Sequence, residues 1–176
     1  MSAPPRALRV PEGWCPVLGG HVGFSGTQLG CADRQVVALA QVLVALGCQT
    51  LHHGDCVGGD RIAHWIARAM GARVELHPPV DPAKRAFCGM FPGELVHRPG
   101  EYLARNLDIV LAVPVLVATP REETGETLRS GTWSTVRRAR AHHRRVVIVR
   151  PSGAVVWEEP EADGLNLLGG GCVQWT

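Results

Sequence analysis

Apolar residues recur along this chain in short runs whose spacing alternates between the period of a strand and that of a helix. Residues 20–24 predict a short strand that runs into a glycine-rich turn, Gly23-Phe24-Ser25-Gly26-Thr27. Small and apolar residues at helical spacing predict a helix over 32–46, with Gly47 as its stop. A second strand is expected over 49–53, followed by the turn Gly54-Asp55-Cys56-Val57-Gly58-Gly59-Asp60. Asp60 then opens a helix over 61–70 that presents Ile62, Trp65, Ile66 and Ala69 on one face and is capped by Gly71. A third strand over 73–77 ends at Pro78-Pro79. Residues 80–99 show no period. A helix over 101–112 is broken by Pro114, and 115–119 reads as a strand. After a polar loop over 121–129, a helix from 131 or 132 to 143 leads into a strand over 146–149 that is apolar enough to be buried on both faces.

Strand and helix thus alternate at least four times. Right-handed crossovers make such strands parallel and place helices on both faces. The expected fold class is α/β, a three-layer Rossmann-like fold with a mainly parallel sheet flanked by helices. Ligands of such sheets bind beyond the carboxyl ends of the strands, so the strand-to-helix turns are the places to look.

The length of 176 residues suits one domain of ordinary size. The expected organisation is an N-terminal arm over 1–18, a Rossmann-like domain over 19–151 and a C-terminal extension over 152–176, with an edge strand near 154–157. A hydrophobic content of 45% and a mean hydropathy of +0.04 exclude disorder of the whole chain. The longest apolar run, 36–46, is interrupted by Gln41 and is too short to span a bilayer. The first residues lack the apolar block of an export signal. A cytoplasmic protein with no membrane partner is expected.

Six cysteines lie at 15, 31, 48, 56, 88 and 172 without CxxC spacing, and they are expected to be reduced thiols. Neighbouring strand residues point to opposite faces, so His52 and His53 do not share a metal with Cys56; neither a metal nor a cofactor is expected. Cys56 as a nucleophile would need a lowered pKa, which the sequence does not show.

Three turns share one character. Ser25-Gly26-Thr27 follows the first strand, the 54–60 turn follows the second, and Ser130-Gly131-Thr132 with Thr135 precedes the last long helix. Each places Gly beside Ser, Thr or Asp at a helix N-terminus, where unpaired N–H groups and the helix dipole favour an anion such as phosphate. Taken singly, each is also an ordinary helix cap. The first turn is not GxGxxG and no P-loop occurs, which argues against a standard dinucleotide site or an ATPase. Arg105-Asn106, inside an otherwise apolar helix pattern, reads equally as a solvated pair or as a guanidinium aimed at a phosphate.

The order His53-Gly-Asp-Cys-Val-Gly-Gly-Asp60, His77-Pro-Pro79, Arg105-Asn106 and Arg129-Ser-Gly-Thr-Trp-Ser-Thr135 resembles the SLOG superfamily of Rossmann-like nucleotide-binding proteins, and its YspA-like group above all. That superfamily also holds the LOG-type phosphoribohydrolases and the DNA-processing protein A family. The resemblance covers roughly residues 20–151. It implies a nucleotide or nucleotide-derived phosphorylated ligand cradled by Gly54, Asp55, Gly58, Gly59, Ser130, Gly131 and Thr132, with Asp60 on a ribose hydroxyl or only capping its helix. Homodimers are frequent among the LOG-type relatives.

One departure bears on chemistry. LOG-type hydrolases follow a Pro-Gly-Gly-x-Gly-Thr stretch with glutamates. Setting Thr135 on that Thr puts Arg137 and Arg138 where the acids belong, and two cations oppose an oxocarbenium-like state. The remaining candidate acids are Asp60 and the loop residues Glu122, Glu123 and Glu126. The first expectation is therefore a binding or sensing module. An N-glycoside hydrolase of nucleoside monophosphates is the alternative. A DNA-binding accessory protein is the third reading, since seven Arg and no acid occupy 129–150. The near-neutral net charge of +2 and the helical spacing of Arg137, Arg140 and Arg144 favour a solvated face over a nucleic-acid partner. Trp65 is expected in the core, and Trp133 either covers a helix start or stacks on a base.

Overall fold

A computed structural model describes residues 8–89 and 91–160. A seven-stranded sheet forms its centre, in the order β4-β3-β2-β1-β5-β6-β7. The strands are β1 (His21–Gly26), β2 (Thr50–His53), β3 (Arg73–Leu76), β4 (Leu95–Val96), β5 (Val115–Thr119), β6 (Arg145–Val149) and β7 (Val155–Glu158). Every pairing is parallel except that of β6 with β7. The helices are α1 (Asp33–Ala45), α2 (Gly59–Ala69), α3 (Tyr102–Ala112) and α4 (Gly131–Ala141).

The strands β2 and β5 are buried at every position, as strands covered on both faces must be. Two cores result. Leu39, Leu43, Ala63, Ala67, Val22 and Val117 fill the side of α1 and α2, whereas Ile109, Val110, Leu116, Trp133, Val136 and Ile148 fill the side of α3 and α4. Gln35 ties α1 to the sheet rim: its buried amide donates to Pro120 O (2.9 Å) and Val149 O (2.7 Å). Order reverses between β1 and β5, which makes the carboxyl ends of these two strands the switch point of the sheet.

Residues ahead of β1 also pack on the first core. Trp14 is 1% exposed, lies edge-on to Trp157 with ring centroids 5.0 Å apart, and carries the Arg145 guanidinium over its ring. Residues 1–7 and 161–176, with Cys172 and Trp175, lie outside the described residues.

The face of α2 differs from the one expected. The helix buries Gly59, Asp60, Ala63, His64 and Ala67 and leaves Trp65 46% exposed. Ile62 and Ile66 are half-buried and Ala69 is exposed. Backbone proximity is the reason. A Cβ on Gly59 would lie 2.8 Å from the Gly26 Cα, so the start of α2 presses directly onto the end of β1. Gly59, Ala63 and Ala67 are small enough to fit along that face, and the two polar residues, Asp60 and His64, have partners within the protein. Trp65 instead packs edge-on against Phe91 at 5.2 Å between centroids.

Candidate functional site

The three glycine-bearing turns all lie at the carboxyl rim of the sheet. The first two are fastened to each other by Asp60. Its Oδ2 accepts from Cys56 N (3.1 Å) and its Oδ1 from Gly26 N (3.4 Å). Burial raises the pKa of this carboxyl to about 6, against the opposing pull of Arg105 and the N–H donors.

Several amides of these two turns, which the sequence reading leaves free for an anion, have partners within the protein. Thr27 N donates to Thr119 O, Gly59 N to Thr27 O and Val57 N to Lys84 O. Asp55 N donates to His53 Nδ1. Asp55 itself is wholly buried at φ 50°, a conformation that aspartate tolerates better than most residues. Its carboxylate receives Arg85 Nη2 (2.7 Å) and Cys88 N (2.9 Å), so it anchors the 85–88 segment and is turned to that task rather than to a cradle. Gly58 adopts φ 89° with the Thr27 and Gln28 carbonyls crowding the place of a Cβ.

What the rim does present is a narrow cleft lined by Phe24, Ser25, Gly26, Gln28, Cys56, Asp60, Tyr102, Arg105, Asn106 and Ile109. Of the expected residues, Ser25, Gly26, Asp60, Arg105 and Asn106 are brought together here. Thr27, Gly54, Asp55, Gly58 and Gly59 are not among the residues that line it.

Arg105 dominates this cleft. It is 5% exposed, which settles the reading that pattern leaves open in favour of an inward guanidinium. Nη2 donates to Cys56 Sγ (2.9 Å), the Tyr102 ring lies 5.0 Å from its guanidinium carbon, and Nε has no hydrogen-bond partner. No carboxylate forms an ion pair with it among the described residues. Position 54 is glycine for the sake of this side chain, because a Cβ there would overlap the guanidinium.

The third turn joins the site through α3. Ser130 Oγ caps α4 by accepting from Trp133 N (3.4 Å). Thr132 and Thr135 are buried; Thr135 Oγ1 donates to Gly131 O (3.0 Å) and accepts from Asn106 Nδ2 (2.9 Å). The Tyr102 hydroxyl stands where a Gly131 Cβ would be, so it covers the start of α4. Sequence reasoning missed Tyr102. The signal was available: it is the chain's one tyrosine, and it precedes Arg105 by three residues on a helix.

The loop glutamates point away from the cleft. Glu122 accepts from Trp133 Nε1 (2.9 Å), Glu123 from Ser152 N (2.9 Å), and Glu126 pairs with Arg140. Trp133 is fully buried and covers the helix start. Within the Arg-rich stretch, Arg137 and Arg140 pair with Glu126, Arg140 also with Glu158 (2.8 Å), and Arg145 with Glu159 (3.1 Å). The Cys56 thiol is pushed up to about 11 by burial and by Asp60, against Arg105, and is a thiol rather than a thiolate at neutral pH. The described cysteines are all unbridged.

The chain has a SLOG-like Rossmann fold. No family model and no curated protein sequence matches it, so the likeness is one of solved structures. It is similar to the molybdenum cofactor binding protein of the phototrophic bacterium Rippkaea orientalis, with a TM-score of 0.56 and 20% identity over 74% of this chain and 76% of that one. It is also similar to DNA processing protein A of Streptococcus pneumoniae, with a TM-score of 0.55 and 20% identity over 73% of this chain; there the match spans about half of the other protein, 49%. The molybdenum cofactor carrier protein of Chlamydomonas reinhardtii matches with a TM-score of 0.51 and 22% identity, over 73% of this chain and 74% of that one. Among the described residues, no helix is long and apolar enough to cross a membrane.

Proposed function

We propose that this protein binds a nucleotide or a nucleotide-derived phosphorylated ligand in the cleft at the switch point of its sheet, as a binding or sensing module. The observation that carries the proposal is Arg105. A guanidinium held in a low-dielectric site without a carboxylate partner is costly, and an anion entering the cleft would repair that cost. Planar donors arranged as a fork match phosphate oxygens well. Asn106, Ser25 and the Tyr102 hydroxyl supply neutral polar groups around the same space.

Two of the similar structures are proteins of the molybdenum cofactor, which supports a cofactor-sized ligand at this rim and puts that cofactor on the list of ligands to try. Binding without cleavage is the favoured outcome. The three loop glutamates are engaged elsewhere, and both oxygens of Asp60 are engaged by backbone N–H groups.

A thermal-shift panel on the full chain tests this, with inorganic phosphate, nucleoside mono-, di- and triphosphates, and the molybdenum cofactor. At least one phosphorylated ligand should raise Tm, and chromatography should detect no released base. A panel in which none does so overturns the proposal. Base release would move the function to the hydrolase reading.

A further inference from the structure

A second constellation lies on the sheet well away from the cleft. His21 opens β1, His52 stands in β2 and Glu75 in β3, so three adjacent strands each contribute one side chain. His52 is in direct register with Glu75 on one side and with Gly23 on the other. All three side chains project from the face that α3 covers, since a Cβ on Gly23 would touch Ile109 and Val113. His21 precedes Gly26 by five residues, roughly 16 Å along the strand from the cleft rim.

His52 Nε2 stands 2.9 Å from His21 Nδ1, close enough for the two nitrogens to share an ion, while Glu75 Oε2 lies 3.6 Å from the opposite ring nitrogen, His52 Nδ1, and would swing toward the Nε2 side to join them. One ligand atom from each of the three lies within 4.8 Å of the others. Nitrogen or oxygen ligands bound at about 2.0–2.2 Å, with angles near 90–110°, stand roughly 2.9–3.5 Å apart. His52 is buried, whereas His21 and Glu75 are half-buried, so an ion here would reach solvent on one side.

Glu75 also neighbours His77 and His97, but those two do not make a second site. Their rings are stacked, 13° from parallel with centroids 4.2 Å apart. Imidazole lone pairs lie in the ring plane, so parallel rings direct them side by side rather than to one point.

We infer that His21, His52 and Glu75 form a binding site for a divalent transition-metal ion of the zinc, cobalt or nickel type, with two imidazoles and one carboxylate as ligands and solvent completing the sphere. Such a donor set suits these ions better than calcium or magnesium. The ion would cross-link β1, β2 and β3.

A hydrogen-bonded imidazole chain would give similar spacings, and cobalt separates the two. The metal-stripped full chain is titrated with Co2+ and followed by visible absorption. One Co2+ per chain is expected, with a ligand-field band, no thiolate charge-transfer band, and displacement by Zn2+. His21→Ala and Glu75→Gln should each weaken binding about tenfold or more, while His142→Ala, exposed just beyond α4, leaves it within about threefold. Glu75→Gln preserves side-chain shape, and circular dichroism confirms that each variant is folded. Absence of binding at millimolar Co2+ overturns the inference. So does a thiolate band, or an affinity that His21→Ala and Glu75→Gln both leave unchanged.

Discussion

Arg105 of α3 lies across Gly54 so closely that a Cβ on residue 54 would overlap its guanidinium. The turn after β2 and the middle of α3 are therefore one device, in which the smallest residue admits the largest cation. Gly54→Ala should push the guanidinium out of the cleft. We expect a stability loss of about 1–3 kcal/mol, as for other overpacked sites, and loss of ligand-induced thermal stabilisation. Urea unfolding and the thermal-shift panel measure the two effects. A Gly54→Ala protein that binds as the parent does would remove Arg105 from the role of anchor.

Arg105 should contribute to binding far more than to stability. Arg105 has no ion pair among the described residues, and even a buried ion pair is often replaced by apolar residues of similar volume at little cost. Arg105→Met should accordingly change the unfolding free energy by no more than about 1 kcal/mol while abolishing the thermal shift given by phosphorylated ligands. A large destabilisation with binding intact would mean that the side chain is structural.

Asp60 predicts a pH dependence with a definite sign. Its carboxyl has an ordinary value of 3.8 and is raised to about 6 in the fold. The native state therefore holds this proton more tightly than the unfolded chain. The corresponding stability is present in full below about pH 3.8 and is lost as pH rises through about 6. A shift of this size is worth about 3 kcal/mol. Asp60→Asn cannot titrate, so the difference in unfolding free energy between parent and variant should change by that order between about pH 4 and pH 6. A difference that is flat with pH would show that Asp60 titrates as an ordinary carboxylate.

The alternation of strands and helices was legible because periodicity reports burial, and a buried strand such as β5 has no other reason to be apolar at every position but its last. The α2 face was not legible. Its hydrophobic residues predict one orientation, and a glycine-to-glycine backbone contact enforces another. Pattern shows which side chains are apolar, but it does not show that Gly26 and Gly59 meet across 33 positions of chain. The site was legible in its membership more than in its chemistry. Asp60, Arg105 and Asn106 converge as the motif order suggests. Yet what lies buried in the cleft is the Arg105 guanidinium, while Asp60 and neighbouring carbonyls take several of the turn amides. The His21–His52–Glu75 group was invisible for a related reason. Its consecutive members are 31 and 23 residues apart, and only strand register aligns them.

Trp14 gives the last prediction. The residues before β1 show no periodicity, yet Trp14 is 1% exposed between the Trp157 ring and the Arg145 guanidinium. An indole in that position joins the segment ahead of β1 to the antiparallel pair β6–β7, which no helix crossover secures. Trp14→Ala would leave a cavity beside the Trp157 ring in the first core. The expected loss is about 3–5 kcal/mol, read by urea unfolding, with Trp14→Phe recovering a large part of it. The denaturant slope should stay unchanged if the segment folds and unfolds with the sheet. A loss below about 1 kcal/mol, the range of surface substitutions, would show that the segment ahead of β1 is not held to the core by this side chain.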